Sequence, residues 1–155
     1  MGYNVIDLID KAIKVATRKK NIYESIGKDK CDIPCIEIMS KVLVKEIDKT
    51  IKYYEELKNE ISEGEFDEID FYIYDKMSFL IDEFDKKTYV TEINNVKEYL
   101  KFSLDLEKDG KSLLIDVQGR FVKNTSDLNT KTYEILSNMI DNKARNIALL
   151  EETLK

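Results

Sequence analysis

The chain has 155 residues, of which 43% are hydrophobic and 36% charged, with five glycines and one proline. This length is typical of a single domain with a sizeable core, so we expect one domain over residues 1–155. Glycine and proline are scarce, which argues against a fold of many short strands and favours long elements. The net charge of −6 argues against a nucleic-acid partner, and Arg18-Lys19-Lys20 is interpreted as a solvated patch on a helix.

Histidine is absent from the sequence, which removes the commonest general base and the usual imidazole metal ligand. No apolar run approaches the roughly 20 residues of a membrane span, and the N-terminal residues lack the layout of a signal peptide. We therefore expect a cytoplasmic protein with no membrane partner. Cys31 and Cys35 could form a redox pair or half of a metal site. The favoured alternative is two small residues near a helix start, because no other residues complete a zinc site.

Apolar residues recur at helical spacing in five segments of the chain. The sequence predicts helices over about 4–26, 32–62, 67–85, 91–121 and 129–154. Gly27 predicts the end of the first helix, and Asp32 predicts the N-cap of the second, with Pro34 in its first turn. The segment 66–84 also has a local strand pattern, but it fits a helical stripe and has no partner strand, so a helix is favoured.

Polar residues interrupt two of the predicted apolar stripes. In the fourth helix the stripe passes through Ser103, Glu107 and Gly110, and in the fifth it passes through Lys143. These interruptions predict polar groups that face the centre of a helical bundle. Gly110 in mid-helix is interpreted as permitting a close helix approach or a small bend.

A weak internal repeat connects the two halves of the chain. Residues 50–57 echo residues 146–153 at an offset of 96, and residues 16–23 echo residues 107–114 more weakly. Two helical hairpins related in this way resemble the ferritin-like (rubrerythrin-like) family. Residues 142–152 resemble the last helix of that family and Leu106-Glu107-Lys108-Asp109 resembles its third. The resemblance implies an all-α, up-down four-helix bundle with a long crossover that contains an additional short helix.

In that family the first and third helices each supply a glutamate, and the second and fourth each supply a Glu-x-x-His that reaches the same metal pair. The resemblance places the six ligand positions on Ala16, Ile47, Thr50, Glu107, Lys143 and Asn146. A one-residue shift would move the second-helix pair to Glu46 and Lys49. Only Glu107 keeps the family's ligand, so the resemblance implies a degenerate member with no metal, no cofactor and no catalytic residues.

Glu107 and Lys143 would then occupy facing core positions with opposite charges. We hypothesise that an ion pair between them replaces the metal, with Ser103 or Asn146 as a hydrogen-bond partner, because an unpaired buried charge is costly. The alternative is that helix rotation lets both long side chains reach solvent.

Two further groups of residues admit two interpretations each. The aromatic cluster could form a surface for a partner or ligand, but a cap on one end of the core is favoured; its members are Phe66, Phe71, Tyr72, Tyr74, Phe79 and Phe84. The acidic run 63–70 could bind calcium, although it lacks EF-hand spacing, and a solvated loop is favoured.

The favoured function is a non-catalytic structural or protein-interaction module, self-associating as a homodimer through an exposed helix face. The alternatives are a small-molecule-binding helical bundle and a ferritin-like enzyme with an atypical, weak metal site near Glu107.

Overall fold

The computed structural model describes residues 4–61, 71–87 and 92–155. The helices are α1 (Val5–Asp29), α2 (Ile36–Glu60), α3 (Phe71–Lys87), α4 (Val96–Phe121) and α5 (Lys131–Leu154), with a short 3-10 helix at Thr125–Asn129. The predicted all-α class is confirmed, since these ranges contain no strand. The segment 66–84, whose sequence also has a local strand pattern, is helical from Phe71 onward. None of the helices within them is long and apolar enough to cross a membrane.

Side-chain caps fix the starts of three helices. Asn4 accepts a hydrogen bond from the backbone N–H of Ile6, while Asp7 accepts one from the backbone of Asn4 at 2.9 Å, which completes a capping box. The Asn95 side chain caps α4 by accepting from the Glu98 N–H, and the Thr130 side chain caps α5 by accepting from the Tyr133 N–H. The last helix therefore begins within two residues of the predicted position.

The turn between α1 and α2 differs from the prediction. Helix α1 continues through Gly27, and α2 begins only at Ile36, after Asp32 and Pro34. The N-cap position belongs to Cys35, which has a left-handed backbone (φ 67°) and whose side chain accepts no capping hydrogen bond. A Cβ on Gly27 would lie 2.7 Å from the Cβ of Ser40, so this glycine permits close contact between the two helices rather than ending one.

The four long helices form two antiparallel pairs, α1 with α2 and α4 with α5. Contacts near both ends fix each pair: Lys20 with Asp48 and Lys58 with Asp10 in the first, Lys108 with Glu151 and Gln118 with Ser137 in the second. Each pair is thus a helical hairpin closed by a short connection. Helix α3 lies against α1 and α4.

The second hairpin begins at the same end of the molecule as α2. The Tyr99 hydroxyl, near the start of α4, lies 2.7 Å from the hydroxyl of Ser40, near the start of α2. The Tyr99 ring also meets the ring of Tyr23 edge-on at 6.0 Å. Helix α4 therefore runs in the same direction as α2, and the connection between them returns along the length of the first hairpin.

Two apolar clusters make up the core. One contains Leu114 and Met139, and the other contains Ala16, Ile47 and Leu106. Along α4 the boundary between them falls at the polar positions that interrupt its apolar stripe. The core is therefore divided by a buried polar layer, and the interrupted stripes in the sequence marked that layer.

Candidate functional site

The polar layer is centred on a buried ion triad from three helices. The two carboxylate oxygens of Glu107 in α4 each accept a hydrogen bond of 3.0 Å, one from the Lys19 ammonium in α1 and one from the Lys143 ammonium in α5. Only 7% of Glu107, 2% of Lys19 and 5% of Lys143 is exposed. All three charged groups are therefore largely removed from bulk water, and each depends on the others for compensation.

Burial and mutual attraction act in opposite directions on these charges. Burial by itself would raise the pKa of Glu107, but the ammonium groups of Lys143 and Lys19 outweigh it and lower that pKa to about 2. For Lys19 burial is the larger effect, and the nearby Lys143 adds to it, so its pKa is lowered despite the attraction of Glu107. One carboxylate faces two ammonium groups, which leaves the fully ionised triad with a net positive charge.

The predicted Glu107–Lys143 ion pair is confirmed, and the alternative in which both side chains reach solvent is wrong. The predicted partners Ser103 and Asn146 are wrong, because the third member is Lys19. Interpreting Lys19 as part of a solvated patch is also wrong. Its position three residues after Ala16 and four before Tyr23 continues the buried stripe of α1, and that spacing is the signal in the sequence.

All six positions carried over from the family resemblance lie around this triad. Ala16 and Lys143 line a small cavity on one side of it, and Ile47, Thr50, Glu107 and Asn146 line a larger one on the other. The Asn146 amide donates a hydrogen bond of 3.4 Å to the Thr50 hydroxyl. The shifted alternative is disfavoured, since the Glu46 and Lys49 side chains pair with each other at the surface at 3.1 Å.

The residues at this centre do not fit a di-metal site. Glu107 is the one carboxylate among the six positions, and both of its oxygens already accept bonds from ammonium groups that would repel a metal cation. Within residues 4–61, 71–87 and 92–155, no group of three or more Cys, Asp or Glu side chains is arranged to hold a metal. Cys31 and Cys35 are free and exposed. The acidic run 63–70 lies outside the described residues.

The larger cavity lies between α2, α4 and α5 and has a volume of about 240 Å³. Its walls are mostly apolar and include Leu43, Ile47, Leu100 and Leu150, while Glu46 and Thr153 are polar members of the lining. Its polar floor is formed by Glu107, Ser103, Thr50 and Asn146, with Tyr23 beside them. Val42 and Leu149 also line it and are 47% and 61% exposed, so the opening lies between α2 and α5.

The Ser103 hydroxyl in this floor is fully buried and has no hydrogen-bond partner among the described residues. It lies close enough to the Tyr23 phenol to influence it, although the two are not in hydrogen-bonding geometry. Burial raises the pKa of that phenol, and the serine acts in the opposite direction. The floor therefore offers one hydroxyl whose hydrogen-bonding capacity is unused.

The aromatic residues of α3 lie largely at the surface. Phe71, Tyr72 and Phe79 are 66%, 67% and 61% exposed, while Tyr74 and Phe84 are partly buried. The favoured prediction of a core cap is therefore wrong for the first three, and Phe66 lies outside the described residues.

The prediction that Gly110 permits a close helix approach is wrong. A Cβ there would lie 3.6 Å from the nearest side-chain carbon of Lys143, an ordinary contact that requires no glycine.

The helices and the triad define an all-α protein with a charged, metal-incompatible centre. Comparison with known proteins adds no match: no family model, no curated protein and no solved structure is significantly similar to this chain. Inferences about function therefore depend on the helix order and on the side chains at the centre.

Proposed function

We propose that this chain is a ferritin-like bundle in which the Lys19–Glu107–Lys143 triad replaces the di-metal centre, and that it acts as a non-catalytic structural or protein-interaction module. The observation that carries the proposal is the pair of 3.0 Å contacts from two ammonium groups to the two oxygens of Glu107. Positive charge that a metal pair would supply to bridging carboxylates comes here from lysine side chains.

The order and direction of the helices support the ferritin-like assignment. Two antiparallel hairpins are joined by a connection that returns along the molecule, as in bundles with one long crossover. Thr50 and Asn146, which the internal repeat relates at an offset of 96, are joined by a hydrogen bond. Residues equivalent by the repeat thus meet at the centre, as expected for two hairpins related by a pseudo-two-fold axis.

The exposed aromatic face of α3 supports the interaction role. Phe71, Tyr72 and Phe79 expose more than half of their surface on one helix. Exposed aromatic side chains are enriched at contact surfaces between proteins, where they bury large areas at low entropic cost. We therefore place self-association on α3.

Metal analysis tests replacement of the metal centre. We expect purified protein incubated with ferrous iron or manganese to retain no stoichiometric metal after dialysis, and its melting temperature to be unchanged by a chelator. One or two tightly held metal ions per chain would overturn this part of the proposal, since the triad would then have rearranged to release Glu107.

Light scattering coupled to size exclusion tests self-association. We expect a dimer that Phe79→Ser converts to monomer, because a large apolar contact is lost. Ile115→Ser is the matched control, since Ile115 on α4 is also a large exposed apolar side chain (49%) but lies on another helix. A monomer of the unmodified chain at high concentration would contradict the assignment.

A further inference from the structure

The cavity beside the triad is large enough to hold an organic molecule. A cavity of 150 Å³ lined by apolar side chains binds benzene. The volume here is about 240 Å³, which by proportion leaves room for roughly ten non-hydrogen atoms. The walls are mainly leucine, isoleucine, valine and methionine side chains. The body of a matching ligand would therefore be apolar.

The floor of the cavity specifies one hydrogen-bonding group on that ligand. Ser103 is 0% exposed and its hydroxyl has no partner among the described residues, although buried hydroxyls in native proteins are almost always paired. The hydroxyl can both donate and accept. Glu107 lies on the same floor and its oxygens retain unused lone pairs. A hydroxyl head group could bond to Ser103 and donate to the carboxylate.

The charges around the floor exclude an ionic head group. A ligand anion would face the Glu107 carboxylate, because Lys19 and Lys143 line the smaller cavity of about 40 Å³ on the opposite side of the triad. A ligand cation would approach a cluster that already has two ammonium groups for one carboxylate. The other carboxylate of the lining, Glu46, is already paired with Lys49. Either ion would be desolvated without a free counter-charge, at a cost of several kcal/mol.

We propose that this cavity is a binding site for a small uncharged amphiphile, with a hydroxyl head group at Ser103 and an apolar body of roughly ten non-hydrogen atoms between α2 and α5. The ligand enters past Val42 and Leu149, the exposed members of the lining. The site goes beyond a structural role and does not depend on the ferritin-like assignment.

Calorimetric titration with four related probes tests the chemistry of the head group. We expect para-propylphenol to bind saturably, propylbenzene to bind more weakly, and para-propylbenzoate and para-propylbenzylamine to show no saturable binding. Absence of saturable para-propylphenol binding would overturn the site. Equal or tighter binding of either ionic probe would overturn the assignment of a neutral head group.

The variant Ser103→Ala tests the predicted hydrogen bond. The hydroxyl has no partner among the described residues, so its removal leaves the fold intact. We expect the affinity for para-propylphenol to fall about three- to tenfold, which corresponds to one hydrogen bond, and the affinity for propylbenzene to stay unchanged. Unchanged affinity for the phenol would contradict a head group at Ser103.

The variant Val42→Trp tests the location of the site. A tryptophan at this half-exposed position would fill the opening, and we expect at least a tenfold loss of para-propylphenol affinity. Ile115→Trp is the matched control, because Ile115 is 49% exposed against 47% for Val42 but does not line the cavity. Equal losses in the two variants would place the ligand elsewhere.

Discussion

Glu107 is the residue on which charge balance at the centre depends. Glu107→Gln would leave two buried ammonium groups without a carboxylate, so we expect the free energy of unfolding to fall by about 3–5 kcal/mol. Lys19→Met would leave one neutral Glu107–Lys143 pair in place of a net positive cluster. We expect the second substitution to change stability by less than about 1 kcal/mol, or to raise it, since burial already disfavours the charge on Lys19.

Urea unfolding measures both variants. Lys108→Met provides the control, because Lys108 also pairs with a glutamate, Glu151, but at an exposed position and at 3.8 Å. We expect this control to be close to neutral. A Lys19→Met variant as unstable as Glu107→Gln would show that the charge balance of the triad is not what decides stability.

The triad also predicts a loss of stability in acid. The pKa of Glu107 is lowered from 4.5 to about 2 on folding, so the native state holds its proton less tightly than the unfolded state. The stabilisation is full above pH 4.5 and is lost as the pH falls towards 2, by about 3 kcal/mol in total. Urea unfolding between these pH values measures it. In Glu107→Gln the corresponding part of the acid dependence should be missing.

Helices α1 and α4 each contain a buried glycine, and the two should respond to alanine in opposite directions. In Gly27→Ala the new methyl group would meet Ser40 at 2.7 Å, so we expect destabilisation of about 1–3 kcal/mol. In Gly110→Ala the nearest atom lies at 3.6 Å, and the gain in helix propensity should stabilise the protein by about 0.5–1 kcal/mol.

Thermal or urea unfolding of the two alanine variants decides between these expectations. Gly27 lies in the last turn of α1, where the gain in helix propensity is smaller than at Gly110 in mid-helix, but the opposite signs expected for the two variants report the steric contact between α1 and α2. A stabilised Gly27→Ala variant would show that the two helices can separate at Ser40 without cost.

For the helices, the sequence predicts which segments are helical better than it predicts where each helix begins and ends. The apolar stripes of α1 and α4 extend over several turns, and side chains such as Leu8, Tyr23 and Val117 are buried as the spacing predicts. The start of α2 is misplaced because Asp32 and Pro34 have the chemistry of a helix N-terminus, while the backbone reverses further on, at Cys35. A left-handed cysteine leaves no signal in the sequence, because the residues that favour this backbone are glycine, asparagine and aspartate.

For the whole molecule, the sequence predicts the helical class and the polar positions, but not the arrangement of those positions in space. Periodicity identifies Glu107 and Lys143 as inward-facing, because each interrupts an apolar stripe. It cannot show that Ser103 lacks a partner, nor that a cavity adjoins it, since both depend on how three helices from distant parts of the chain pack. Helix direction also requires long-range contacts, such as that of Tyr99 with Ser40.

The division of the triad between the two hairpins has a consequence for folding. The second hairpin carries both Glu107 and Lys143, so it can form with its charges balanced, whereas α1 brings Lys19 alone. The ammonium group of Lys19 is therefore desolvated, as a charge in excess of the Glu107–Lys143 pair, when the two hairpins dock. We expect Lys19→Met to refold several-fold faster in stopped-flow measurements, and slower refolding would contradict this order of events.

Lys19 would also fix the register of α1 along α4. If α1 slid by one turn along α4, the ammonium group of Lys19 would move about 5 Å away from its carboxylate partner, Glu107. A contact made by apolar side chains alone would tolerate such a slip far better, because apolar contacts are not directional and need no particular partner. The lysine whose removal we expect to change equilibrium stability little would thus still favour a single alignment of the two hairpins.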